Sequence, residues 1–104
     1  MIVERIEPEK NTNTSSENLS EFVNDAHLDT HWVIARHKNT SPEILDKLAN
    51  HPAWSVRIGV SYNLNTIPKT LEKLANDEYW GVRNGVAQNP NTPEYLKIYL
   101  YFNT

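Results

Sequence analysis

A period of 26 residues constrains this chain more than any other feature of it. Residues Asn39 to Leu64 read NTSPEILDKLANHPAWSVRIGVSYNL, and Asn65 to Pro90 read NTIPKTLEKLANDEYWGVRNGVAQNP. Laid together without a gap, 14 of 26 positions are identical. The dipeptide Asn-Thr marks the period at Asn13, Asn39, Asn65 and Asn91. Self-similarity at a fixed spacing is the signature of one supersecondary unit used repeatedly. The 104 residues are therefore read as a single domain. It has an N-terminal cap or tail over 1–12, repeats over 13–38, 39–64 and 65–90, and a half repeat over 91–104. No such unit can bury its own apolar face, so the stack is what folds.

Each unit reads as two helices. In the second unit Ser41 is placed to cap and Pro42 to take the first helical position, where its missing N–H costs nothing. Leu45, Leu48 and Ala49 follow at i, i+3 and i+4, which is one face of a helix. The third unit gives Pro68 with Leu71, Leu74 and Ala75. The last gives Pro93 with Leu96, Tyr99 and Leu100, after losing one residue between Thr92 and Pro93. The first unit diverges most; its first helix is expected from Ser16 to Val23, capped by Ser15, with Leu19, Phe22 and Val23 on one face. Two ladders follow: Leu19, Leu45, Leu71, Leu96, and Phe22, Leu48, Leu74, Tyr99. Asn24, Asn50 and Asn76 are expected to end the first helices, because asparagine tolerates the left-handed conformation that often does so.

The second helices carry Val56, Gly59, Val60 and then Val82, Gly85, Val86, with Thr30, Val33 and Ile34 at those places in the first unit. A helical glycine costs about 0.5–1 kcal/mol relative to alanine. Its recurrence implies either close packing or a tightened 3₁₀ segment. Trp54 and Trp80 open these helices, with Leu28 in that place. Asn63 and Asn89 close them, with His37 in that place. The expected fold is all-α: a short right-handed solenoid of about three and a half two-helix units (α plus α or 3₁₀).

The pattern Asn-Thr-x-Pro-x-x-Leu-x-x-Leu-Ala-Asn, then Trp-x-Val-Arg-x-Gly-Val-x-x-Asn, resembles the leucine-rich repeat variant family of bacterial proteins. It is carried by Asn39, Thr40, Pro42, Leu45, Leu48, Ala49, Asn50, Trp54, Val56, Arg57, Gly59, Val60 and Asn63, and again over Asn65 to Asn89. The chain is also distantly similar to HEAT repeats, including the Val-Arg pair. The resemblance covers residues 13–102. It implies alternating helices in a solenoid and a function in binding. Family members can hold an iron–sulfur centre on an N-terminal cysteine cluster; this chain has no cysteine, so that cofactor does not carry over.

Composition narrows the function. Ten Lys and Arg face 13 Asp and Glu, a net charge of −3. Nucleic-acid domains usually carry a basic stripe, so that partner is disfavoured. MIVERIEPEK lacks the apolar run of a signal peptide, and no stretch nears the roughly 18 apolar residues of a membrane span. The expectation is a soluble cytoplasmic protein. There is no phosphate-binding glycine loop, and Gly59-Val60-Ser61 lacks the second glycine of a nucleophile elbow. His27 and His31 stand at i, i+4, but Leu28 replaces the glutamate of the metalloprotease pattern. His37 and His51 are expected at a helix end and in a turn. Asp46, Glu72, Asp77 and Glu78 read as solvated charge. The chain is expected to be neither an enzyme nor a cofactor or metal protein.

Three groups remain as candidate binding residues. Trp32, Ile58 and Asn84 form one row of the second helices, and Arg36, Tyr62 and Gln88 the next, four residues on and so on one face. The units disagree at both rows, which frees them from the demands of stacking. Exposed together, Trp, Tyr and Arg are the side chains enriched in interface hot spots, and this face is the leading candidate for a protein partner, with an inhibitor or immunity protein as one such role. Arg57 and Arg83 recur at one position. They are either stacked arginines bonding backbone carbonyls or an acidic neighbour, or an anion-binding ladder that with Arg36 and Lys38 could serve a nucleic acid. Tyr95, Ile98, Tyr101 and Phe102 leave the last helix apolar nearly all round. They either cap the chain or join two copies as a homodimer.

Overall fold

A computed structural model describes residues 28–103. The expected cap over 1–12, the helix over 16–23 with Leu19, Phe22 and Val23, and Ser15, Asn24 and His27 lie outside the described residues. The rest is helical, with no strand among the described residues. The helices are α1 (Leu28–Arg36), α2 (Pro42–Leu48), α3 (Trp54–Tyr62), α4 (Pro68–Leu74), α5 (Trp80–Gln88) and α6 (Glu94–Phe102). The second helices of the sequence units, α1, α3 and α5, are α-helices of nine residues rather than 3₁₀ turns.

Pro42 and Pro68 open α2 and α4, and the Ser41 hydroxyl accepts the N–H of Ile44 at 3.3 Å. Pro93 sits one place earlier, as the cap of α6, because the residue lost before it shortens the lead-in. Asn50 and Asn76 do not take the left-handed conformation expected of them. No described non-glycine residue has a positive φ. The helices end instead on right-handed Ala49 and Ala75. The chain then leaves through a tightened turn, with His51 N–H on Leu48 O at 3.0 Å and Asp77 N–H on Leu74 O at 3.1 Å.

Leu45, Leu71 and Leu96 are buried, as are Leu48 and Leu74. Each contributes about 1.5–3 kcal/mol on burial. Val56, Val60, Val82, Val86 and Ile34 complete the core. Tyr99 departs from its ladder and is 44% exposed, its hydroxyl donating to Asn76 Oδ1. α2 packs on α3 and α4 on α5, whereas no helix follows α6 among the described residues to cover Tyr99.

α1 packs on α3, and α3 on α5. Glycine is what lets them approach. A Cβ on Gly59 would lie 2.9 Å from Ala35 Cβ, and one on Gly85 would lie 1.9 Å from Ser61 Oγ. The close-packing reading of these glycines therefore holds over the 3₁₀ one.

The joints are tied by buried asparagine amides. Asn63 Nδ2 donates to Ala35 O (2.8 Å) and His37 O (3.0 Å), 28 and 26 residues earlier. Asn89 Nδ2 donates to Ser61 O and Asn63 O, both at 2.9 Å, across the same separations. Their Oδ1 atoms accept the N–H of Asn65 and Asn91. In the first unit His37 Nδ1 accepts Asn39 N–H at 3.0 Å, so histidine keeps the acceptor half of the device. The Asn-Thr dipeptide adds to it. Thr40, Thr66 and Thr92 donate to Ile34 O, Val60 O and Val86 O, closing each loop. Asn65 Nδ2 reaches Lys38 O and Thr40 O, and Asn91 Nδ2 reaches Leu64 O and Thr66 O.

Replacing Asn89 by aspartate keeps the acceptor for Asn91 but loses both donors and sets a buried carboxylate against two carbonyls. Urea unfolding is expected to show Asn89→Asp destabilised by about 2–4 kcal/mol, against less than about 0.5 kcal/mol for Asn50→Asp on the exposed turn.

Candidate functional site

The face of α3 that receives the next helix is made of Trp54, Arg57, Ile58 and Ser61. Arg57 grips Asp77, in the turn before α5, with Nε on Oδ2 at 2.7 Å and Nη2 on Oδ1 at 3.1 Å. Its Nη1 donates to His51 O and Pro52 O. The two side chains are 12% and 10% exposed, and the Asp77 hydrogen bond pushes the Arg57 guanidinium above its ordinary range. Asp77 Oδ1 also accepts Tyr79 N–H at 2.9 Å, which fixes the turn. Tyr79 stacks on Trp54, with centroids 4.7 Å apart and planes 16° from parallel. Ile58 and Ser61 meet the bare backbone of Gly81 and Gly85.

Twenty-six residues on, α5 presents Trp80, Arg83, Asn84 and Ala87 in the same register. Among the described residues no helix lies over them as α5 lies over α3. They form one wall of an open cleft of about 370 Å³, with Lys97, Leu100 and Tyr101 of α6 as the other wall. Arg83 repeats the inner bond of Arg57, with Nη1 on Asp77 O at 2.7 Å. Among the described residues no carboxylate meets its Nε and Nη2 edge. Trp80 and Tyr101 are exposed.

The residues singled out from the sequence divide accordingly. Arg36, Tyr62 and Gln88 are exposed, but Trp32, Ile58 and Asn84 are half buried. Trp32 and Ile58 pack against the core, so the two rows do not form one open apolar face. The Arg36 guanidinium lies 4.6 Å from the Trp32 ring centroid, and Asn84 Nδ2 donates to Tyr62 Oη at 2.9 Å. Tyr95, Ile98, Tyr101 and Phe102 are all exposed. Tyr95 donates to Glu72, a bond that raises the phenol above its ordinary range, while Tyr101 and Phe102 meet edge to face. Asp46 is tied across to α4 by Thr70 and Lys73, and those hydrogen bonds lower its carboxyl. The cleft thus gathers Asn84, Arg83 and Tyr101, one from each candidate group.

Two features escaped the sequence reading. The Trp54–Tyr79 stack had only the recurring tryptophan as a signal. The second is a histidine pair: His31 Nδ1 lies 2.9 Å from His51 Nε2. These positions are 26 residues before Arg57 and Asp77, so the period itself could have found the pair.

Since the Arg57–Asp77 pair is nearly enclosed and bidentate, a double-mutant cycle with Arg57→Met and Asp77→Ala should give each single variant a loss of roughly 1–3 kcal/mol. The double variant should lose less than the sum. Additive losses in urea unfolding would mean the two side chains act separately.

Among the described residues no helix is long and apolar enough to cross a membrane. Compared with protein-family models, with curated proteins and with solved structures, the chain matches none of them.

Proposed function

We propose that this chain is a non-enzymatic protein-binding module, a short right-handed solenoid of the leucine-rich repeat variant kind, and that it binds through the cleft between α5 and α6. One observation carries the reading. Trp80, Arg83, Asn84 and Ala87 hold the register of Trp54, Arg57, Ile58 and Ser61, and that earlier register is a helix-docking surface. The same face, uncovered among the described residues, has the form of a surface shaped for a helix. The partner is therefore a helical protein segment. It brings a carboxylate from the turn before its helix to the free edge of Arg83, as Asp77 does to Arg57. It brings an apolar or aromatic side chain to Trp80, as Tyr79 does to Trp54. Lys97 adds a second positive group to the opposite wall.

The 26-residue period, the recurring asparagine ties and the in-line packing of α1, α3 and α5 support the solenoid. Nucleic acid is the weaker reading. Arg57 is already neutralised by Asp77, which leaves Arg36 and Arg83 without a continuous basic stripe.

A library of displayed helical peptides selected against the folded protein tests this. Enriched sequences are expected to carry Asp or Glu just before the helix, with an aromatic residue beside it. Arg83→Ala should weaken them about 10- to 100-fold, the worth of a charge-assisted hydrogen bond pair. Enrichment without a carboxylate, or equal binding by Arg83→Ala, would contradict the proposal. Binding of mixed oligonucleotides that collapses with added salt would favour the nucleic-acid reading instead.

A further inference from the structure

The joint between α1 and the helices after it is built from different chemistry than the next joint. Where Arg57 meets Asp77, the equivalent positions hold His31 and His51, edge to face with ring centroids 4.9 Å apart. His51 does two jobs at once. Its Nδ1 accepts Ala53 N–H at 3.0 Å, fixing the turn before α3 as Asp77 Oδ1 fixes the turn before α5. An accepting Nδ1 has no proton, so in the neutral ring the proton is on Nε2. Nε2 therefore donates to His31 Nδ1, 2.9 Å away on α1.

We propose that this pair makes the α1 joint a proton-sensitive one, closed at neutral pH and opened by mild acid, while the Arg57–Asp77 joint stays shut. The geometry leaves no room for an added proton. A proton on His51 Nδ1 faces the Ala53 N–H and breaks the turn. A proton on His31 Nδ1 faces the His51 Nε2–H and breaks the joint. If His31 donates to His51 instead, the His51 proton moves to Nδ1 and the turn is lost again. Every protonated arrangement forfeits one of the two bonds.

The surrounding charges act in the same direction. Facing His51 are His31 from α1 and Arg57 from α3, whose Nη1 donates to His51 O. Asp77, in the turn before α5, is engaged by Arg57. Burial first, then His31, then Arg57, lower the proton affinity of His51 below the ordinary histidine range. The unfolded chain then binds the proton more tightly than the folded one. Stability is complete above the ordinary histidine range and is lost as the pH falls through it. The Arg57–Asp77 pair contains no histidine, the side chain whose charge changes in this interval, so the second joint has no such dependence.

Amide hydrogen exchange followed by NMR between about pH 8 and about pH 5 tests the proposal, because histidine is the side chain whose charge changes there. After correction for intrinsic rates, the α1 amides of Val33, Ile34 and Ala35 should lose protection as the pH falls. The loss should be roughly tenfold for each unit by which His51 is depressed. Val82 and Val86 of α5 should hold theirs. The double variant His31→Arg, His51→Asp moves the Arg57–Asp77 chemistry into this joint and should keep α1 protected in acid. Should it fail to fold, His31→Gln with His51→Asn keeps a donor and an acceptor, cannot titrate, and should do the same. Wild-type α1 protection that is flat with pH would overturn the proposal. So would an unchanged pH dependence in a folded double variant.

Discussion

A buried primary amide that makes three hydrogen bonds to backbone is the interaction the rest of this structure depends on. Asn63 and Asn89 each donate two N–H groups to carbonyls of the preceding unit and accept one N–H of their own loop. Carbonyls cannot donate, so the orientation of the amide is fixed and no isosteric side chain reproduces it. Leucine burial supplies more free energy, but it is not directional. The asparagines set the offset between one pair of helices and the next, and the glycines can come as close as they do because that offset is held. A misplacement of an ångström would drive Gly85 and Ser61 apart or together.

With the frame fixed, side chains at equivalent places become interchangeable tools. At one such place the chain uses arginine twice and histidine once, and at its partner place aspartate and histidine. The Arg57–Asp77 joint holds by a bidentate ion pair. At the His31–His51 joint a hydrogen bond between two rings stands in place of that ion pair. The second arginine, Arg83, offers the same edge to a cleft. One position thus meets an imidazole, a carboxylate and an open cleft, and the difference lies in what stands opposite.

The helices and most of the core were legible in the sequence, because proline at the start, leucine spacing and a strict period all mark them. Ser41, Pro42, Pro68, Leu45, Leu71, Val56 and Val82 behave as their positions suggest. The failures share a cause. Asn50 and Asn76 were read from local conformational preference, and tightened turns removed the need for a left-handed residue. Trp32 and Ile58 were placed on an outer face by a helical wheel, which ignores how far a helix rolls toward its neighbour. Glycine at 81 leaves room for Ile58, and both Ile58 and Trp32 pack against the core in half-buried positions. Tyr99 was assigned to a buried ladder by register, and it is exposed because no helix lies over it among the described residues.

The most direct measurement is the exchange of the side-chain amide protons themselves. Proton NMR after transfer to deuterated solvent resolves the Nδ2 protons of Asn63 and Asn89 from those of Asn50 and Asn76. On this account the first two are protected as strongly as the core backbone amides, since opening them requires the units to separate. The latter two, on exposed turns, exchange at once. Rapid exchange of Asn63 and Asn89 in a protein whose α3 and α5 backbone amides remain protected would mean that packing alone holds the units in register, and the central claim would fail.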